Sequence, residues 1–252
     1  MSVLAAAGLH KSFRGVAAVR GVSFAVGAGE MLALIGPNGA GKSTCFNMLS
    51  GQLRPDAGRV LFDARDVTGF APRRVWRLGV GRTFQITATF ASMTVRENVQ
   101  MALLSHRGEV FRFWRAARLR HVAAADTLLA PLGLAPYADT AAAVLAYGDL
   151  KRLELAMALA NAPRLLLMDE PTAGMAPAER TALMRLVRRL AAERGIAVLF
   201  TEHDMDIVFS VADRILVLHQ GALIAEGDGA AIRADAQVRA VYLGTGATSG
   251  GH

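Results

Sequence analysis

Met31-Leu32-Ala33-Leu34-Ile35-Gly36-Pro37-Asn38-Gly39-Ala40-Gly41-Lys42-Ser43-Thr44 is the stretch that decides the fold. Residues 36–43 fill the pattern G-x-x-x-x-G-K-[ST] of a phosphate-binding loop, and Thr44 follows it. The glycines let backbone N–H groups turn inward around phosphate oxygens, where side chains would collide. Lys42 sets a compact cation against the β and γ oxygens of a triphosphate, and Ser43 offers a hydroxyl to Mg²⁺. The apolar run before the loop reads as a buried strand. Residues 44–49 read as a helix closed by Ser50-Gly51, which puts the phosphates at a helix N-terminus. The loop is read as a nucleotide site.

Working outward, 252 residues accommodate one large domain or two small ones. Hydrophobic residues make up 53% of the chain but are scattered, and no apolar run approaches the ~18 residues of a membrane span. The alanine-rich stretch 122–148 is broken by Asp126, Pro131, Pro136 and Asp139. Met1-Ser2-Val3-Leu4 lacks the basic start and apolar centre of a secretory signal. The single cysteine, Cys45, excludes an internal disulfide framework and suits a reducing compartment; it reads as a small hydrophobe on the loop's helix. A soluble, intracellular chain is expected. The net charge is +7, carried almost entirely by arginine. Its densest patch joins Arg107, Arg112, Arg115, Arg118, Arg120 and His121 to Phe111, Phe113 and Trp114. Stacking plus charge would suit nucleic acid, but the favoured reading is a helix with a solvated arginine face, and a membrane-facing helix is a third.

Strand patterns recur at both ends of the chain. Residues 22–26, 58–62 and 80–84 read as strands, and the first thirty residues as short strands. From about residue 92 to 161 the apolar spacing becomes helical. After Pro163 strands return at 165–168 and 196–200, separated by an amphipathic helix over 177–193 that starts with proline and stops before Gly195. A helix over 204–211 follows, then a hairpin of 214–218 with 222–225. The expected architecture is an α/β core split by an inserted helical segment.

Four elements extend the loop into a site. Gln85 sits just past a strand end, where open parallel sheets bind ligands. Leu145-Ala146-Tyr147-Gly148-Asp149 precedes a helical run over 150–161, and a small-residue turn there points N–H groups outward, suiting an anion. Leu165-Leu166-Leu167-Met168-Asp169-Glu170 brings two carboxylates out of a buried strand. Asp169 is suited to hold Mg²⁺, and Glu170 to polarise the attacking water as general base. His203, in Thr201-Glu202-His203-Asp204, can hydrogen-bond a γ-phosphate oxygen.

That order of motifs resembles the nucleotide-binding subunit of ABC transporters over about residues 4–244. Within the family, residues 39–47, 81–85, 145–148 and the ending Ala240-Val241-Tyr242-Leu243-Gly244 are similar to ATP-binding subunits of branched-chain amino-acid importers. The resemblance implies an α/β P-loop NTPase fold, a RecA-like core with an antiparallel β region and an inserted helical subdomain. One domain would span 1–244, with the core at 1–87 and 162–244, the helices at about 88–161, and a flexible tail at 245–252. It implies ATP and Mg²⁺, with Gly36, Pro37, Asn38, Gly39, Ala40, Gly41, Lys42, Ser43 and Thr44 on the phosphates and Phe13 stacked on adenine. Ser43, Gln85 and Asp169 would meet the Mg²⁺, and Glu170, His203, Gln85 and Lys42 form the catalytic set. Ala146, Tyr147, Gly148 and Asp149 would act on ATP held by a second subunit. Gln85 and residues 86–98 would feel a membrane permease, and a periplasmic solute-binding protein would feed the assembly from outside. The chain would sit peripherally on the cytoplasmic face of the inner membrane, with no nucleic-acid partner.

Two departures stand out. Most relatives carry Leu-Ser-Gly-Gly-Gln where this chain has Leu145-Ala146-Tyr147-Gly148-Asp149: Ala146 lacks the hydroxyl, and Asp149 adds negative charge near a phosphate. Ala176 stands where an aspartate is usual. A weakened signature implies unequal sites, and so a heterologous second ATP-binding subunit in preference to a homodimer. Importers of urea or amides and lipopolysaccharide exporters share nearly all these motifs. An ABC-type ATPase of nucleic acid or ribosomes would ordinarily show two ATPase halves, coiled coils or zinc modules.

Overall fold

In the loop's strand β3 (Met31–Ile35) every residue is apolar and buried. Side chains alternate across a strand, so Met31, Ala33 and Ile35 enter one core while Leu32 and Leu34 enter another. Strands β7 (Leu165–Asp169) and β8 (Ala197–Thr201) divide the same way. Leu166, Met168, Val198 and Phe200 join the first core; Leu165, Leu167, Ala197 and Leu199 join the second. A strand apolar on both faces needs a layer on each side, as in a parallel sheet. The chain supplies both layers.

The computed structural model describes residues 2–83, 89–109 and 120–243. Its central sheet has the order β10-β9-β3-β8-β7-β6, with β6 at Val80–Thr83, β9 at Arg214–His219 and β10 at Ala222–Gly227. All neighbours are parallel except β9 and β10, which form the expected hairpin. Over one face lie α3 (Val95–Arg107), α4 (Val122–Leu129), α5 (Tyr147–Leu159), α6 (Pro177–Arg194) and α7 (Met205–Val211). Over the other lie α1 (Lys42–Leu49) and an antiparallel sheet of order β2-β1-β4-β5. Those strands are β1 (Ser2–Phe13), β2 (Val16–Gly27), β4 (Ala57–Phe62) and β5 (Arg65–Asp66). Phe46 and Phe200, both fully buried on opposite faces, would each cost about 3–5 kcal/mol if cut to alanine.

Three features differ from the sequence reading. The short strands expected near the start are two strands of twelve residues, bent by register shifts that keep long strands curled. The helix expected from residue 150 begins at Tyr147, so Tyr147, Gly148 and Asp149 form its first turn. Between α4 and α5 the chain makes three short 3₁₀ turns, and Thr94 bridges to Ala141. Thr94 also caps α3 reciprocally: its hydroxyl accepts from Glu97 N–H at 3.1 Å, and Glu97 accepts from Thr94 N–H at 2.9 Å. Gln85, most of the arginine-aromatic patch and the tail from residue 245 lie outside the described residues. Of that patch, Arg120 and His121 both turn to Glu109, at 3.0 and 3.3 Å.

Candidate active site

The loop leaves β3 at Gly36, whose φ is +152°; a Cβ there would lie 2.1 Å from the Leu218 carbonyl oxygen. At Gly41, φ +105°, a Cβ would come within 2.4 Å of the Ala18 carbonyl oxygen. These two glycines are therefore demanded by the flanking strands β9 and β2, which the sequence reading had ascribed to phosphate. Gly39 differs: φ is +79° with open space beside it, and Asn38, Gly39 and Ser43 are exposed. Pro37 is half-buried, and the buried Ala40 closes the turn by donating its N–H to the Pro37 carbonyl at 3.1 Å. Residues 42–44 open α1, whose first N–H groups have no acceptor within the helix. An open turn ending on such N–H groups fits a phosphate chain.

Lys42 is buried at the start of α1, and its ammonium donates to the carbonyls of Gly36 at 2.6 Å and Pro37 at 3.1 Å. Burial lowers its pKa from the ordinary value, while Glu170 and Asp169 pull it back up. The sheet thus brings loop and carboxylates together although they are far apart in sequence: β8 alone separates β3 from β7.

Register does the rest. Asp169 pairs with Thr201 across β7 and β8. The Thr201 hydroxyl donates to Asp169 Oδ1 at 2.8 Å and accepts from the Glu170 N–H at 3.0 Å. One hydroxyl fixes both acidic residues. Glu170 adopts φ +49°, a left-handed conformation costly for a residue with a side chain and common at functional sites. The turn after it is closed by the Ala173 N–H donating to the Glu170 carbonyl at 3.2 Å. Glu202 Oε1 accepts from the N–H and the hydroxyl of Thr172, at 3.0 and 2.6 Å. Burial raises the Glu202 pKa against those bonds, and the Glu170 charge adds to the rise. His203 Nε2 lies 2.8 Å from Glu170 Oε1, so its partner in the structure is the general-base candidate itself.

Arg82 adds a strut that sequence reading missed. Its guanidinium donates to Ser50 Oγ at 2.6 Å and Asn47 Oδ1 at 3.1 Å, and Nη2 stands 3.9 Å from Asp169 Oδ2. It connects the end of α1 to the base of the acidic pair. Ser43 and Asp169, a hydroxyl and a carboxylate without sulfur or imidazole, suit a hard cation such as Mg²⁺. When bound, that ion would offset the phosphates' negative charge.

The turn at 146–149 sits elsewhere. Ala146 is the N-cap of α5 without a side-chain bond, because it has no acceptor to offer. Asp149, expected to crowd a phosphate with charge, is turned along its own helix to Arg152 Nη1 at 3.3 Å. Gly148 is buried, and a Cβ on it would meet the Glu179 carboxylate at 3.1 Å. Phe13, at the end of β1, is 48% exposed, with Lys11 Nζ 5.8 Å from its ring centre. A separate cleft of about 530 Å³ opens between α2 (Pro72–Arg77), β6, α3 and α5, lined by Trp76, Val80, Phe90, Met101 and Met157. No helix of the described residues is long and apolar enough to cross a membrane.

Comparison with known proteins gives this geometry a family. The ABC transporter model matches residues 19–173, and the model for the branched-chain amino acid ATP-binding cassette transporter matches residues 222–248. The chain is 38% identical to the high-affinity branched-chain amino acid transport ATP-binding protein BraF of Pseudomonas aeruginosa, covering 96% of this chain and 98% of BraF. The lipopolysaccharide export system ATP-binding protein LptB of Acidithiobacillus ferridurans is also 38% identical, over 96% and 97%. A solved nucleotide-free ATP-binding cassette from an ABC transporter superposes with a TM-score of 0.84 at 34% identity, covering 96% of this chain and 99% of that one. A strand-loop-helix phosphate site facing an acidic strand end, on a fold and sequence shared along nearly the whole chain, has one consistent meaning: this protein belongs to the ABC transporter family and is an ATP-hydrolysing subunit of a transporter.

Proposed function

We propose that the chain powers uptake of branched-chain or related amino acids through separate membrane permeases, by closing on ATP against a second ATP-binding subunit. The observation that carries hydrolysis is Glu170: its carboxylate is held 2.8 Å from His203 Nε2, in the field of Lys42. In this reading residues 36–44 bind the phosphates, Ser43 and Asp169 (with Gln85) meet Mg²⁺, and Glu170 polarises water. His203 holds the Glu170 carboxylate in place, and Phe13 stacks on the base. Residues 146–149 face the ATP of the other subunit, and closure excludes water from both sites. The Ala146 position, with no hydroxyl, supports a heterologous partner over a symmetric pair. The apolar cleft between α2, β6, α3 and α5 would receive a permease segment, placing the chain peripherally on the cytoplasmic face of the inner membrane. A periplasmic solute-binding protein would deliver the solute.

Amino-acid import is preferred over lipopolysaccharide export because of the specific match over residues 222–248. Capture of the membrane complex through a tag on this chain tests the reading. Amino-acid permeases and a second ATP-binding subunit are expected; a lipopolysaccharide-export permease would replace import by export. In the same complex Glu170→Gln should bind ATP yet turn over at least about 100-fold more slowly, as loss of a general base does.

A further inference from the structure

The turn after Glu170 is tied to the α5 start by contacts that neither element needs for its own secondary structure. The Tyr147 hydroxyl donates to the Ala173 carbonyl at 3.0 Å. Gly174, with φ +79°, lies so close that a Cβ on it would meet the Tyr147 ring at 3.3–3.5 Å. One residue on, a Cβ on Gly148 would meet the Glu179 carboxylate, and Glu179 Oε2 in turn accepts from the Ala176 N–H at 3.4 Å. The peptide bonds between make the connection short. Tyr147 OH donates to the Ala173 carbonyl, and the Ala173 N–H donates to the Glu170 carbonyl at 3.2 Å. The middle of the turn is anchored to the sheet by Thr172 and Glu202.

We propose that Tyr147 is a positioning residue for hydrolysis: it ties the helix start that faces the second subunit's nucleotide to the turn that carries this chain's own Glu170. This rests on the reading that residues 146–149 face ATP held by another subunit. A nucleotide arriving at the α5 start shifts Tyr147, and through Ala173 the shift reaches the Glu170 backbone. The left-handed conformation of Glu170 makes that backbone a sensitive place to push. Each subunit thereby registers the filling of both sites. Coupling between sites is reciprocal, so the effect belongs in the cooperativity of ATP use as well as in its rate.

Tyr147→Phe keeps the ring against Gly174 and deletes the one hydroxyl. The test is made on the membrane complex purified through this chain, with Glu170→Gln beside it. For Tyr147→Phe we expect nucleotide affinity at the Lys42 loop unchanged, kcat lowered about fivefold as for loss of one neutral hydrogen bond, and a Hill coefficient for ATP falling toward one. Wild-type kcat and Hill coefficient in Tyr147→Phe would overturn the proposal. So would a lower melting temperature with both kinetic quantities unchanged, since that is a structural part only. Wild-type turnover by Glu170→Gln would instead remove the reading of the site, and the Tyr147 proposal with it.

Discussion

The two regions proposed to act on nucleotide in this chain are built by different means. Asp169 and Glu170 sit at the end of β7 and Lys42 opens the helix that follows β3, and both strands are buried on both faces, so the cores that stabilise the domain also fix these positions. The α5 start is an uncapped helix end on the surface, with Tyr147 42% exposed and one hydroxyl bonded to the neighbouring turn. A site held by the core is rigid before any ligand arrives. A helix start tied to its neighbour through one hydroxyl is the less firmly held of the two, which suits the proposed role of meeting another subunit's ligand.

The sharpest way to break this contrast is at Lys42. Lys42→Ala removes a buried cation aimed into the loop, and should weaken nucleotide binding by about 2–3 kcal/mol, roughly 30- to 150-fold, in calorimetric titrations. Asp149→Ala, on the other side of the comparison, should leave binding to this chain's own loop unchanged. If both variants weakened it equally, the two regions would be one site. A pH experiment probes how firmly the Glu170 turn is held. Glu202 is buried with a raised pKa, so its favourable contribution is complete below the ordinary carboxylate value near 4.5 and is lost as pH rises through the elevated one. Glu202→Gln cannot ionise and its amide oxygen can still accept from Thr172. Thermal melts should therefore show the variant gaining on wild type as pH rises from 4 upward. A constant difference across that range would mean Glu202 ionises at its ordinary value. The smallest effect concerns Ala176, the N-cap of α6, which cannot return the bond that Glu179 makes to its N–H. Ala176→Asp should complete the reciprocal cap and raise stability by about 1 kcal/mol in denaturant titrations. No gain would show that this end of α6 is already satisfied by its packing.

Much of the acidic half was legible in the linear chain. An apolar run before a glycine-rich loop and another before Asp169-Glu170 each name a strand and a chemistry from neighbouring residues. The partners Thr201, Arg82 and Thr172 were not legible, because their roles depend on strand register. Thr201 serves Asp169 and Glu170 only because β7 and β8 run parallel with residue 169 opposite 201. The glycines show a subtler gap. Their presence was read correctly, but Gly36 and Gly41 answer to backbone carbonyls of Leu218 and Ala18 on strands remote in sequence. The α5 boundary was misplaced because Tyr147 and Gly148 are weak helix formers by themselves. Their place in the helix is secured by Ala173, Gly174 and Glu179.

Sequence alone determined the loop, the acidic strand end, the order of elements and the family, because each is written in contiguous residues whose chemistry needs no distant partner. Tertiary structure decided which groups touch: Thr201 between the two acidic residues, His203 on Glu170, and Tyr147 on Ala173. Those contacts arise from strand order, register and the packing of helices on a sheet, quantities that belong to pairs of segments and to no single one.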